Sequence, residues 1–261
     1  MTIETSTMTR FRSVILFLLL FAPACFAQDI PTVAAAANVR FALDKIQQQF
    51  EHDTGKQVRI SYGSSGQLMQ QIKHGAPFEI FLSANVDYAQ KIVEAKLAPP
   101  PAKVYAIGRL AIMHNKHVKL PLSSDLAYLK QELQQGKIQR FAIANPDHAP
   151  YGARAKDVLQ AIGVWQQIQP KLLYGENVAQ AAQFALSNAS QGGIVALSLT
   201  KAKGFSNKAN VVAIDAKLHP KLTQAMVLLN NASDTAKAFY AYLQSPKAQQ
   251  TLVDFGFDLP K

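Results

Sequence analysis

The chain has 261 residues, enough for one large or two ordinary domains, and its 49% apolar and 17% charged residues suit a packed soluble core. The formal net charge is +10, from 27 Lys and Arg against 17 Asp and Glu, but the positive residues are scattered. The densest clusters, His114 to Lys119 and Lys201 to Lys203, are short and lack interleaved aromatics, so they read as solvated faces and argue against a nucleic-acid partner.

Arg10 and Arg12 precede the apolar run Val14 to Phe21, which is followed by Ala22-Pro23-Ala24-Cys25-Phe26-Ala27. A positive start, a short apolar stretch and small residues at 25 and 27 describe a secretory signal peptide over 1–27, with cleavage expected after Ala27. The apolar run is too short for a good membrane span. A lipid tether through Cys25 is the alternative, and Ala22-Pro23-Ala24 is a poor lead-in for it. The sole cysteine would leave with the peptide. The mature chain is then exported without a disulfide, and its core must carry stability alone.

Ile30 to Ala37 reads as a strand ending in small residues. Asn38 stands where an N-cap belongs, before a helical pattern at Val39, Leu43, Ile46 and Phe50 that runs out at Thr54-Gly55. Strand 58–62 leads through Ser64-Ser65 into helix 66–73. Strand 78–83 leads into a helix from Asp87 to Lys96. This alternation predicts a mostly parallel sheet. The run Pro99-Pro100-Pro101 interrupts it and is a candidate boundary. Val104 to Met113 then reads as one or two strands suited to crossing between lobes. Ser123-Ser124-Asp125 is expected to cap a helix over 125–135.

Strand 141–144 is followed by a loop through Pro150 and a helix opened by Tyr151-Gly152. Strand 171–174 precedes a helix opened by Asn177-Val178. Buried strands are expected at 192–197 and 211–214, a second crossing near His219-Pro220, and a returning strand at 225–229. Ser233-Asp234 and Ser245-Pro246 start the last helices. The order predicts two α/β lobes, 28–106 plus 222–261 and 107–221, with a ligand cleft between them.

Four strand-to-helix junctions stand out: Ala37-Asn38, Ser64-Ser65, Tyr151-Gly152 and Asn177-Val178. In α/β sheets, ligands sit outside the carboxyl ends of strands, where helices begin. Each helix start offers unpaired N–H groups and about half a positive charge. Met together across the cleft, these junctions would form a cage of donors with few acceptors. A fully deprotonated tetrahedral oxyanion needs only donors, whereas a phosphate that keeps a proton needs an acceptor. Asn38, Ser65, Tyr151 and Val178 include no carboxylate, although Asp147 and Glu176 lie close in sequence. Each junction taken singly reads as a helix cap.

Enzymatic readings find less support. Gly63-Ser64-Ser65-Gly66-Gln67 approaches the G-x-S-x-G nucleophile elbow but lacks its last glycine. A secreted serine hydrolase using Ser64 or Ser65 is the alternative outside the binding class. His114 and His117 are spaced as H-x-x-H without the glutamate of a zinc helix, and read as surface-loop residues. His148 reads as a solvated loop histidine, with a place capping or lining the cleft as the alternative, and Trp165 as an amphipathic packing residue. Tyr240 and Tyr242 read as core and rim.

At these same junctions the chain resembles the periplasmic molybdate-binding proteins of ABC importers, within the type II periplasmic-binding-protein fold. The likeness spans 30–258 and rests on Ala34-Ala35-Ala36-Ala37-Asn38, on Ser64-Ser65 with Gly75-Ala76-Pro77 through Phe81-Leu82-Ser83-Ala84, on Asn145 to Gly152, on Glu176-Asn177-Val178, on Gly193-Ile194-Val195 and on Phe239 to Leu243. It implies an α/β, two-lobed fold that takes up molybdate or tungstate in the periplasm and delivers it to a membrane permease. No other cofactor and a monomeric state are expected, and sulfate or phosphate is the alternative ligand. Carried over by position, the oxyanion contacts would be Asn38, Ser65, Tyr151 and Val178, with Ala37 contributing from its backbone. These would be hydrogen bonds to the oxyanion, not bonds to the metal. Asn38 and Ser65 would donate from side chain and main chain, Tyr151 and Val178 through backbone N–H. Some members carry a tyrosine hydroxyl after G-I-V; here Ala196 stands there, and the fifth contact is left open.

Overall fold

The computed structural model describes residues 30–260; the expected leader 1–27, its cleavage point and Cys25 lie outside the described residues. β1 (Thr32–Ala36) runs through a 3-10 turn (Ala37–Val39) into α1 (Arg40–Thr54). β2 (Arg59–Gly63) leads into α2 (Ser65–Lys73), and β3 (Ile80–Ser83) into α3 (Val86–Glu94). β4 (Lys103–Gly108) and β5 (Leu110–Asn115) follow with only Arg109 between them. Then come α4 (Leu129–Gln134), β6 (Phe141–Ala144), α5 (Pro150–Ala161), the short α6 (Trp165–Ile168), β7 (Leu172–Gly175) and α7 (Val178–Leu186). β8 (Gly193–Ala196), the short α8 (Leu197–Thr200) and α9 (Lys203–Ser206), and β9 (Ala209–Ala213) complete this half. β10 (Leu222–Leu228), α10 (Asp234–Tyr242) and α11 (Pro246–Asp254) close the chain.

Two five-stranded sheets result, in the orders β2-β1-β3-β10-β4 and β7-β6-β8-β5-β9. Both are mixed. β1 pairs parallel with β2 and β3, while β10 runs antiparallel to β3 and β4. In the second sheet β6 pairs parallel with β7 and β8, while β5 runs antiparallel to β8 and β9. The physical reason is the crossing. β5 and β10 enter their sheets from the other lobe, not through a crossover helix, so they run against their neighbours. The proline run lies inside the first lobe, between α3 and β4, because β4 pairs with β10 of the same sheet.

Strand alternation sorts the first lobe's core onto both faces of its sheet. Val33 and Ala35 pack with Leu43, Ile46 and Phe50 of α1 and with Phe239 and Leu252 of the last helices. Ala34 and Phe81 face the other way, onto Leu68 and Ile72 of α2 and Ile92 of α3. Phe50 meets Phe239 edge-on at 5.0 Å between ring centres and Tyr242 at 5.4 Å. The Tyr242 hydroxyl reaches the rim, 2.7 Å from Asp53 Oδ2. The second lobe's core also takes in Ala36 and Ala84, at the ends of β1 and β3. Small residues there let the two lobes touch. Among the described residues no helix is long and apolar enough to cross a membrane.

Three local expectations are corrected. Ser123 and Asp125 build a turn (2.6 Å), and Leu126 takes a left-handed φ of 57°, so the helix starts only at Leu129. His114 is no surface-loop residue: it is buried on β5, its ring nitrogens 2.8 Å and 3.1 Å from the carbonyls of Asn115 and Leu120. Asn38 caps nothing, because it sits in the middle of the 3-10 turn and no side chain caps that turn or α1.

Candidate ligand-binding site

The four junctions meet. Ala37, Asn38, Ser65, Tyr151 and Val178 line one cavity of about 10 Å³ between the lobes, together with Ala84, Ala149 and the residues just before each helix. All five are at most 4% exposed.

Local rules explain the presentation. Ser64 is the N-cap of α2 and accepts from the Gln67 N–H. Asn177 is the N-cap of α7 and accepts from Ala179 N–H at 3.0 Å and Gln180 N–H at 3.1 Å. The capping side chains satisfy N–H groups of the second and third helical residues. Ser65 and Val178, one residue further on, stand first in their helices, where a backbone N–H has no intrahelical acceptor. Tyr151 is second in α5, after Pro150, which carries no N–H of its own. Gly152 lets α5 press against β6, since a Cβ there would collide with the Ala144 carbonyl. The expected cap at Ser64-Ser65 is thus Ser64, and the residue beside it faces the cavity.

The side chains divide their roles. Ser65 Oγ accepts from the Ala84 N–H at 2.9 Å, so its own proton is the group it can still donate. Asn38 Nδ2 lies 3.0 Å from Gln224 Oε1 and 3.4 Å from the Tyr151 hydroxyl. The Asn38 carbonyl accepts from Ser198 Oγ at 2.7 Å. Burial pushes the Tyr151 and Tyr105 hydroxyls well above the usual tyrosine range, so both remain protonated donors. Among the described residues no charged one lines the cavity. Asp147 and Glu176, the nearest carboxylates in sequence, are exposed and do not line the cavity. Ala196 is fully buried at the end of β8 and does not line the cavity.

A clasp joins the two lobes beside the cavity. His148 is not a solvated loop residue. Its Nδ1 is 2.9 Å from Ser64 Oγ, and its carbonyl accepts from the Gly66 N–H at 2.9 Å. Gln67 Nε2 donates to Glu176 Oε2 at 2.8 Å, and that oxygen lies 3.8 Å from His148 Nε2. Sequence reading missed this clasp, because its partners are 84 and 109 residues apart. It also missed Gln224, although a glutamine followed by Ala225-Met226-Val227-Leu228 in a strand is a readable signal of a buried polar role.

Two lobes joined by two crossings, with uncharged donors at the carboxyl ends of their strands, define a protein that closes on a small ligand. The chain belongs to the bacterial extracellular solute-binding proteins, whose family profile matches residues 31–258. It is 33% identical to the molybdate-binding protein ModA of Azotobacter vinelandii, over 90% of this chain and 93% of that one. It is 34% identical to the molybdate-binding protein ModA of Rhodobacter capsulatus, over 86% of each chain. In structure it is similar to the Azotobacter vinelandii periplasmic molybdate-binding protein, with a TM-score of 0.78 and 28% identity over 88% of this chain and all of that one.

Proposed function

We propose that this protein binds molybdate, and by the same chemistry tungstate, outside the cytoplasm and delivers it to the permease of an ABC importer. The observation that carries this reading is the lining: four helix starts converge on one cavity that contains donors and no charged group. A tetrahedral dianion with no proton to share is satisfied by such a lining, and hydrogen bonds to a charged acceptor are the stronger kind. A ligand that keeps a proton would lack an acceptor carboxylate. The relatives named for molybdate support the choice of anion.

The contacts would be the N–H groups of Ala37, Asn38, Ser65, Tyr151 and Val178, with the Ser65 hydroxyl and the Asn38 amide. A space of about 10 Å³ is close to that of one water, so the lobes part slightly to seat a polyatomic anion. The spacing at which the clasp can still form then sets the size of anion accepted. Molybdate and sulfate offer the same oxygens, so size is what separates them. The binding energy is a small difference between donor contacts and the cost of dehydrating the ion and closing the lobes. The protein acts as a monomer, catalyses no reaction and has no nucleic-acid partner in this reading.

Calorimetry with molybdate, tungstate, sulfate and phosphate tests the claim. The expected result is tight one-to-one binding of molybdate and tungstate only. Molybdate binding no tighter than sulfate would sink it. The Ser64–His148 contact is the one observation that favours a hydrolase. Against it, Ser64 is 3% exposed and its hydroxyl also lies 2.9 Å from Gln67 Oε1. Ester hydrolysis that disappears in Ser64→Ala would revive that alternative.

A further inference from the structure

Behind the cavity lies a buried polar cluster that touches both crossing strands. Gln224, on β10, has no exposed surface. Its Oε1 accepts from the Tyr105 hydroxyl at 2.8 Å and from Asn38 Nδ2 at 3.0 Å, and its Nε2 lies 3.2 Å from the Tyr151 hydroxyl. Gly108 leaves room for this cluster, since a Cβ there would collide with both the Tyr151 hydroxyl and Gln224 Nε2. Gln224 does not line the cavity; Asn38 does.

With the amides turned this way, two groups go unanswered. Asn38 Oδ1, on a residue 1% exposed, has no hydrogen-bond partner among the described residues. The Tyr151 hydroxyl accepts from both amides but donates to no described group. An amide's oxygen and nitrogen occupy equivalent places, so the same heavy atoms also fit both amides reversed. Reversed, Gln224 Nε2 donates to Asn38 Oδ1 and to the Tyr105 hydroxyl. Gln224 Oε1 accepts the Tyr151 proton. Tyr105 passes its own proton to the Ser83 carbonyl, 3.4 Å away. Every group in the cluster but one is then satisfied: the position without a partner now holds the Asn38 NH2 group. A buried amide donor without an acceptor is costly, and an anion oxygen is the acceptor that would relieve it.

We propose that Gln224, anchored by Tyr105, is a positioning residue that turns the Asn38 amide so that its NH2 group, and not its oxygen, faces the bound oxyanion. The inference rests on the oxyanion reading above. Its consequence is specific: Gln224 affects affinity without touching the ligand, and only through Asn38. Without Gln224, Asn38 can present its oxygen, which repels an anion.

The test is a double-mutant cycle read by calorimetry with molybdate. Gln224→Leu and Asn38→Ala should each weaken binding about 10- to 100-fold. The double variant should bind no more weakly than Asn38→Ala, because the two residues act as one unit. Losses that multiply in the double variant, or wild-type affinity in Gln224→Leu, would overturn the proposal. If Gln224→Leu does not fold, side-chain amide resonances of the wild-type protein decide. Molybdate should shift the Asn38 NH2 pair and leave the Gln224 pair in place. An unmoved Asn38 pair overturns the proposal. A wild-type protein that ignores molybdate in the same titration instead refutes the oxyanion reading on which the proposal stands.

Discussion

Ser65 joins the fold to the site through one oxygen. Its Oγ holds the Ala84 N–H, and its proton is directed to a bound anion in the proposed reading. Ser65→Ala should therefore weaken molybdate binding by about 10- to 100-fold and, by leaving a buried N–H unpaired, reduce stability by about 1–3 kcal/mol. Calorimetry and thermal denaturation measure the two effects separately. The buried tyrosines make a prediction about pH. Desolvation raises the Tyr105 and Tyr151 hydroxyls above the ordinary value of 10.0. A group with a raised folded value holds its proton longer in the folded state, so its stabilisation is complete below pH 10.0 and is lost as pH rises beyond it. Denaturation midpoints should fall above that pH, and less steeply in Tyr151→Phe. At this scale the sequence was legible where chemistry is local. Ser64-Ser65 and Asn177-Val178 announced a cap and its neighbour. Asn38 misled, because a 3-10 turn ahead of α1 removes the cap position that its residue type suggests. The contact of Ser64 with His148 depends on two lobes meeting, and no local pattern encodes it.

Helix starts are the working elements here, and their caps can be tested against one another. Asn177→Ala removes the side chain that holds the Ala179 and Gln180 N–H groups, costing about 1 kcal/mol of stability. The start of α7 also presents Val178 to the cavity, so this variant should bind molybdate more weakly as well. Ser233 caps α10 in the same manner, far from the cavity, through the Ala236 N–H. Ser233→Ala should lose similar stability and no affinity. Equal affinity losses in both variants would mean that stability alone is being read. The long amphipathic helices were legible because α1 and α2 repeat their apolar face over several turns. The short α6, α8 and α9 span less than two turns and leave no period to detect. The helix expected from Asp125 was delayed because the Asp125 carboxylate accepts from the Ser123 hydroxyl and the Ala127 N–H instead.

At the scale of the molecule, two lobes meet across a cavity and are latched beside it. The apolar stretch from Val104 suggested a crossing, and β4 and β5 lie in different sheets; the proline run, expected as a boundary, lies inside the first lobe. That β5 and β10 insert antiparallel was not visible, because strand direction follows from which lobe the chain arrives from. The latch should govern how long a ligand stays. His148→Ala removes the side-chain bond to Ser64 but keeps the carbonyl bond to Gly66. Release of molybdate, followed by stopped-flow fluorescence, should be about 5- to 10-fold faster, the worth of about one hydrogen bond. An unchanged release rate would mean that the latch does not limit escape. In this reading a closed cage of uncharged donors selects one size of tetrahedral dianion. Titration of molybdate into the protein in a large excess of sulfate tests it most directly. One-to-one binding with the affinity nearly unchanged is expected; loss of the molybdate signal in proportion to added sulfate would mean that the cage does not tell the two anions apart.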